Sequence, residues 1–283
     1  MPQFLIIKSG FSECKMSERK YKTILFEVKE RIARIILNRP EVHNAFNAAM
    51  IKELLEVFNR IKDDKSVRIV IFTGKGKSFC AGADLNWMRE VINYSFKQNM
   101  EESLQIVELH QNIYTLPLPV IAMVNGTAIG GGTGFLSACD IAIASEEARF
   151  GLSEVKLGLV PAAISPYVVR KIGESKARQY FLTGERISAE KAREIGLVNE
   201  VVPRDKLEEK IDEIGRLLLS SGPQAVAHCK ELIFNVSRMR IEEAGKYTAR
   251  MIADLRVSKE GQEGMAAFLE KRKPKWMENL KDV

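Results

Sequence analysis

The strongest constraint on the fold is a change of character at Pro203. Ahead of it, β-branched runs that read as strands alternate with stretches of helical spacing; after it, every segment reads as a helix. Residues 21–28 and 31–37 read as paired strands joined at Lys29-Glu30. A helix follows, capped by Asn47, in which Met50, Leu54, Leu55, Phe58 and Ile61 recur at helical spacing. Further strands are predicted over residues 68–73, 119–124 and 140–144, with a short helix over residues 130–138. Such alternation predicts an α/β fold with its functional loops at strand ends. Beyond Pro203, residues 206–219, 223–236, 241–255 and 259–271 predict helices whose amphipathic faces need a surface to cover them, on the core or on a second subunit.

A chain of 283 residues with 46% hydrophobic content has room for one large core and an appended unit. The expected organisation is an N-terminal extension over residues 1–19, an α/β core over 20–202 and a helical region over 203–283. The formal charge of +6 favours an anionic partner: nucleic acid, an acidic membrane surface or a phosphorylated cofactor. The basic residues are dispersed and form no recognisable RNA-reading module, which speaks against nucleic acid. The apolar start Phe4-Leu5-Ile6-Ile7 is cut short by Lys8 and Ser9, too soon for a signal peptide or a membrane span, and Met16 offers a second start. Cys14, Cys80, Cys139 and Cys229 form no C-x-x-C pair, and no histidine lies at ligand spacing. The expectation is a reduced, cytoplasmic protein with no metal.

Three segments of small residues stand out beside predicted strands. They are Phe79-Cys80-Ala81-Gly82-Ala83-Asp84, Asn125-Gly126-Thr127-Ala128-Ile129-Gly130-Gly131-Gly132-Thr133-Gly134, and Phe150-Gly151-Leu152-Ser153-Glu154. Small residues there let a ligand approach the backbone, and a helix beginning at Gly131 would turn free N–H groups and its positive dipole end toward an oxygen. The glycine cluster is not a dinucleotide fingerprint, because Phe135 stands where Gly130-x-Gly132 needs a third glycine or alanine. Nor is it a phosphate loop: Gly126 and Gly131 have the spacing, but Gly132 replaces the required lysine. Taken alone, the cluster reads equally well as a tight turn with close helix packing.

Taken together, the segments resemble the enoyl-CoA hydratase/isomerase (crotonase) superfamily. The resemblance runs through Asn38-Arg39-Pro40 with Asn44-Ala45, residues 80–84, Asn125-Gly126 with the glycine triplet, Cys139-Asp140, Phe150-Gly151, Glu154, Gly158, Pro161, Gly184, Ala189 and Gly196-Leu197-Val198. It implies a core of repeated ββα turns forming a spiral, and C-terminal helices that build trimers, commonly paired into hexamers. It also implies no tightly bound cofactor, coenzyme A entering as part of a thioester substrate. By position, the backbone amides of Ala83 and Gly131 would polarise the thioester oxygen, each such donor lowering the barrier by ~3 kcal/mol. Glu154 would carry a proton to or from the carbons beside it. Asn44, Ala45, Ala81, Gly82, Asp84 and Leu85 would lie along coenzyme A. Separately from the resemblance, the basic stretch with Lys273, followed by Trp276, has two readings: a solvated helix end, which is the default, or a contact to the nucleotide end of coenzyme A.

One position departs from the pattern of the best-known hydratases, which carry a second glutamate where this chain has Gly134. With one carboxylate, two chemistries stay open: addition of water at the β-carbon, or a proton shuttle between C2 and C4. Residues 84–89 and 158–168 resemble the superfamily's bacterial methylglutaconyl-CoA hydratase branch of leucine breakdown, which favours hydration of a short, branched 2-enoyl-CoA. Asn86, Trp87 and Gly134 would then border the acyl group, with Asn86 or Arg89 meeting a distal carboxylate. Trp87 and Met88 fit an ordinary core face equally well, and Asp84 fits a helix cap.

Overall fold

The computed structural model describes residues 20–278; the expected N-terminal extension, with its apolar start and Met16, lies outside the described residues. Strands β1 (Ile24–Lys29) and β2 (Ile32–Leu37) form an antiparallel hairpin. Its turn residues are Glu30 and Arg31, both with positive φ (51° and 68°), so the turn falls one residue later than the alternation predicted. In α1 (Ala48–Lys62), Asn47 accepts the Met50 N–H at 3.0 Å, and Met50, Leu54, Phe58 and Ile61 are buried as their spacing requires.

From there the chain repeats one pattern: a longer strand, a three-residue strand, then helix. Strands β3 (Ile69–Gly74) and β4 (Ser78–Cys80) precede α2 (Leu85–Val91) and α3 (Phe96–Thr115). Next come β5 (Val120–Val124) and β6 (Thr127–Ile129) with α4 (Gly131–Ala138), then β7 (Ile141–Ser145) and β8 (Arg149–Gly151) with α5 (Ser165–Thr183). Strand β9 (Arg186–Ser188), α6 (Ala189–Glu194) and β10 (Glu200–Val202) complete the core. The longer strands build a six-stranded sheet in the order β1-β2-β3-β5-β7-β10, parallel apart from the first pair. The short ones build a second sheet, β4-β6-β8-β9, whose first three strands are parallel. Each turn thus feeds both sheets, which is the ββα spiral. Phe72 packs edge-on against Phe58 and Phe79 and at a tilt against Phe135, with ring centroids 5.6 to 6.0 Å apart. Each ring so buried contributes about 2–3 kcal/mol.

Helix α7 (Leu207–Ser220) covers the outer face of the large sheet, placing Leu207, Ile211 and Leu219 against Ile69, Ile71, Ile121, Met123 and Ile143. The helices α8 (Pro223–Val236) and α9 (Ile241–Val257) bury no residue fully, and α10 (Lys259–Leu269) buries only Ala267. Ile241, Ile252, Val257, Phe268 and Leu269 stand exposed on them. Among the described residues, no helix is long and apolar enough to cross a membrane, and no group of His, Cys, Asp and Glu could hold a metal. The described cysteines are free, Cys80 and Cys139 buried and Cys229 exposed.

Candidate active site

The three motif segments leave the C-terminal ends of three neighbouring parallel strands of the small sheet. Ala83 follows the end of β4 at Cys80, Gly131 the end of β6 at Ile129, and Glu154 the end of β8 at Gly151. Adjacent strands are about 4.8 Å apart, so the sheet brings these groups side by side with Gly131 between the other two.

On the β4 side, the Phe46 N–H donates to Gly82 O at 2.8 Å and the Asp84 N–H to Phe46 O at 2.9 Å. A trans peptide points its N–H opposite its C=O. The Gly82 carbonyl faces Phe46, so the Ala83 N–H faces away, and it has no hydrogen-bond partner among the described residues. Asp84 caps α2 as its type suggested, accepting from Asn86 N at 2.7 Å and Trp87 N at 3.2 Å, and its second oxygen meets Arg39 Nη2 at 2.8 Å. Burial pushes the Asp84 carboxyl up, but Arg39 and the two backbone donors more than offset this and hold it below the usual carboxylate range.

At the end of β6, Gly130 donates to Gly151 O at 2.8 Å and adopts φ 53°, ψ −122°, open to glycine without strain. Gly131 then opens α4, so its N–H is one of the free donors of the first turn. A β-carbon on Gly131 would fall 2.5 Å from Phe46 Cε1, and one on Gly132 would run into the carbonyl of Cys80. These close approaches draw α4 against β4 and set Gly131 against the Phe46 ring, while the Phe46 backbone holds Gly82 and Asp84 on either side of Ala83.

Glu154 begins a 3-10 turn, Glu154–Leu157, closed by Gly158 in the left-handed region. Its Oε1 lies 3.1 Å from where a Gly130 β-carbon would stand, next door to the Gly131 amide. Its Oε2 is buried with no hydrogen-bond partner among the described residues. Burial pushes this carboxyl above the ordinary glutamate range, as suits a group that takes up and returns a proton.

Other expected site residues serve in different ways. Asn44 is completely buried: its Oδ1 accepts the Arg39 N–H at 2.9 Å, and its Nδ2 donates to Lys75 O at 2.9 Å and Ser78 O at 2.8 Å. Its side chain therefore braces the loop entering β4 and offers nothing to a ligand. Asn125 joins it there, donating to Gly76 O at 2.9 Å. Ala45 and Ala81 are held through their backbones, Ala45 O by Arg39 and Ala81 N by His43 O. Leu85 and Asn86 are exposed on α2, and Asn86 Oδ1 accepts from Arg89 at 2.6 Å. Trp87 is a core residue: its ring meets Phe46 edge-on and its indole N–H donates to Glu102 at 2.7 Å. Gly134 opens no pocket, because Ile164 and His110 fill the space beside it. Lys273 is exposed, and no hydrogen bond or ion pair among the described residues ties it to the three loops. Trp276 docks the C-terminal segment by donating from Nε1 to Ser220 O at 2.9 Å, with its ring against Gly264.

Sequence reasoning passed over Phe46 and His110. Phe46 sits in the Asn44-Ala45-Phe46 run, but nothing in its type announces that its backbone holds Gly82 and Asp84 while its ring packs against Gly131. His110 is completely buried in α3, with Nδ1 2.7 Å from Ile106 O and its ring stacked on Phe135. Helix α3 itself carried a legible start in Ser95 and Gln98, which form a capping box.

The two-sheet ββα spiral, with glycine-rich loops and one buried carboxylate at neighbouring strand ends, defines an enzyme of the crotonase class. The chain belongs to the enoyl-CoA hydratase/isomerase family, whose model matches residues 27–279. It is 34% identical over 258 residues to the short-chain-enoyl-CoA hydratase of Clostridium acetobutylicum, covering 90% of this chain and 98% of that one. Among solved structures it resembles an enoyl-CoA hydratase from Shewanella pealeana (TM-score 0.88, 40% identity, 91% of this chain and 97% of that one). It also resembles Pseudomonas aeruginosa AtuE (TM-score 0.87, 36% identity, 90% and 99%).

Proposed function

We propose that the chain adds water reversibly across the 2,3 double bond of a short, branched enoyl-CoA resembling 3-methylglutaconyl-CoA. The Ala83 and Gly131 amides bind the thioester oxygen and stabilise the enolate that forms as hydroxide character enters at C3. Glu154 takes a proton from the attacking water and returns one to C2. Coenzyme A is bound only as part of the substrate. The observation that carries the reading is the Glu154 carboxylate, with one buried oxygen unpartnered, beside Gly130 and so next to a free first-turn amide.

A second reading has Glu154 as the sole shuttle of an isomerase, moving one proton between C2 and C4. It draws on the packing at Gly134, which leaves no place for a second carboxylate. Incubation with crotonyl-, 3-methylcrotonyl-, 3-methylglutaconyl- and 3-enoyl-CoA, followed by product mass, separates them. Gain of one water supports hydration; unchanged mass with a moved double bond supports isomerisation and overturns the first reading. The exposed apolar side chains of α9 and α10 support assembly into a homotrimer, or a hexamer of two trimers.

A further inference from the structure

We propose that Arg39 is a positioning residue for the Ala83 amide, its guanidinium clamping together the two backbone segments that fix where that N–H points. The proposal rests on the reading of Ala83 as a carbonyl-binding amide. Arg39 Nη1 donates to Ala45 O at 2.6 Å and Nη2 to Asp84 Oδ2 at 2.8 Å. Both side chains are largely enclosed, at 18% and 6% exposure. Ala45 directly precedes Phe46, whose backbone holds Gly82 and Asp84, and Asp84 directly follows Ala83. The clamp therefore closes a ring through Arg39, Ala45, Phe46, Ala83 and Asp84, and the free N–H sits on that ring's outer side. The other oxygen of Asp84 accepts from Asn86 and Trp87, so the start of α2 is aligned by the same carboxylate.

Only a planar fork reaches both acceptors at fixed separation. A lysine ammonium is a single point charge and can serve one of them. An enclosed carboxylate left without its cation would turn to water or take up a proton, and the loop carrying Ala83 would loosen by a fraction of an ångström. Misplacement on that scale is felt in a hydrogen bond that matters most in the transition state.

The test compares wild type with Arg39→Met, Arg39→Lys and Asp84→Asn, full-length and shown to be folded by circular dichroism. Turnover is followed on the enoyl-CoA that the product assay identifies, and cinnamoyl-CoA serves as a bound chromophore whose absorption moves to the red when its thioester carbonyl is polarised. We expect Arg39→Met to lower kcat about 10- to 100-fold with little change in KM, and to lose much of the red shift. Arg39→Lys should recover part of both. Asn at position 84 can still cap α2 but gives up the ion pair, so Asp84→Asn should fall with Arg39→Met, and the double variant should be little worse than either. A folded Arg39→Met with wild-type kcat and wild-type red shift overturns the proposal, as does an Asp84→Asn that keeps both. Should Arg39→Met fail to fold, the lysine and asparagine variants decide. If wild type itself produces no red shift, the reading of the Ala83 and Gly131 amides fails, a result distinct from failure of the clamp alone.

Discussion

Ile164 occupies the space into which any side chain on Gly134 would have to grow: a β-carbon added there would collide with its Cγ2 methyl and stand 2.8 Å from His110 Nε2. The absent second carboxylate is thus a packed arrangement of three residues and not a vacancy. Gly134→Glu alone should cost about 1–3 kcal/mol of stability through overpacking and lower the activity. Gly134→Glu with Ile164→Gly should regain much of the stability. Denaturant titration of the single and double variants checks this; a stable single variant would show that α4 yields where the packing says it cannot.

Glu154→Gln should reduce kcat by about 10²- to 10⁴-fold while leaving the fold intact. It should also raise Tm at neutral pH. The folded state holds the Glu154 proton more tightly than the unfolded chain does, so this group favours folding most below the ordinary pKa of 4.5 and loses that contribution as pH rises through its raised value. Glutamine removes the neutral-pH penalty, and the gain should vanish near pH 4. Equal Tm differences at both pH values would contradict this.

His110 acts in the opposite direction. Burial pushes its imidazole down to about 4 from an ordinary 6.5, so between those values the unfolded chain takes up a proton that the folded one refuses. Stability is full above pH 6.5 and falls as the pH drops toward 4, by up to about 3 kcal/mol. His110→Asn should flatten thermal melts across that window; an unchanged slope would mean that the imidazole titrates normally.

Gly131→Ala places a methyl against the Phe46 ring, at 2.5 Å from Cε1, in a place where the ring has Trp87 and Phe135 on its other sides. The helix must shift, and loss of one aligned amide lowers kcat about 10²- to 10³-fold. Phe46→Leu, which makes room, should restore part of the rate in the double variant. Stopped-assay kinetics of the four forms give the coupling, and strict additivity would separate the ring from the amide.

Phe268 is 83% exposed and Leu269 78% exposed on α10. If these side chains are covered by a neighbouring subunit, Phe268→Glu with Leu269→Glu should shift the light-scattering mass from three or six chains toward one. An unchanged mass would place the interface elsewhere.

The larger architecture was legible because it rests on periodicity. The hairpin, α1, strands β3, β5 and β7 and the four C-terminal helices announce themselves by spacing, within a residue or two at their ends except that β1 starts three residues late, whereas α3, α5 and β10 fall outside that reading. The small sheet did not, since three residues such as Ser78-Phe79-Cys80 are too few to establish a period. Yet those strands are what align Ala83, Gly131 and Glu154. The candidate site residues came from the family resemblance, matched position by position, because small residues and one acid do not single them out alone; the distinction between supporting and exposed residues was not legible at all. Asn44 and Asn86 look alike in sequence, but one is sealed beneath the loop by hydrogen bonds and the other stands in solvent. That difference is set by neighbours distant in the chain, such as Lys75 and Ser78.

The Ala83 and Gly131 amides belong to the main chain just past the ends of β4 and β6, so their placement follows from backbone bonds such as Phe46 N–H to Gly82 O, and no side-chain length enters it. Selection can therefore change the side chains around these loops one residue at a time while the two amides keep their places. What it cannot alter freely is the registration of β4 against β6, where a slip of one residue would turn the strand's side chains to the opposite face and carry the following loop away from Gly132.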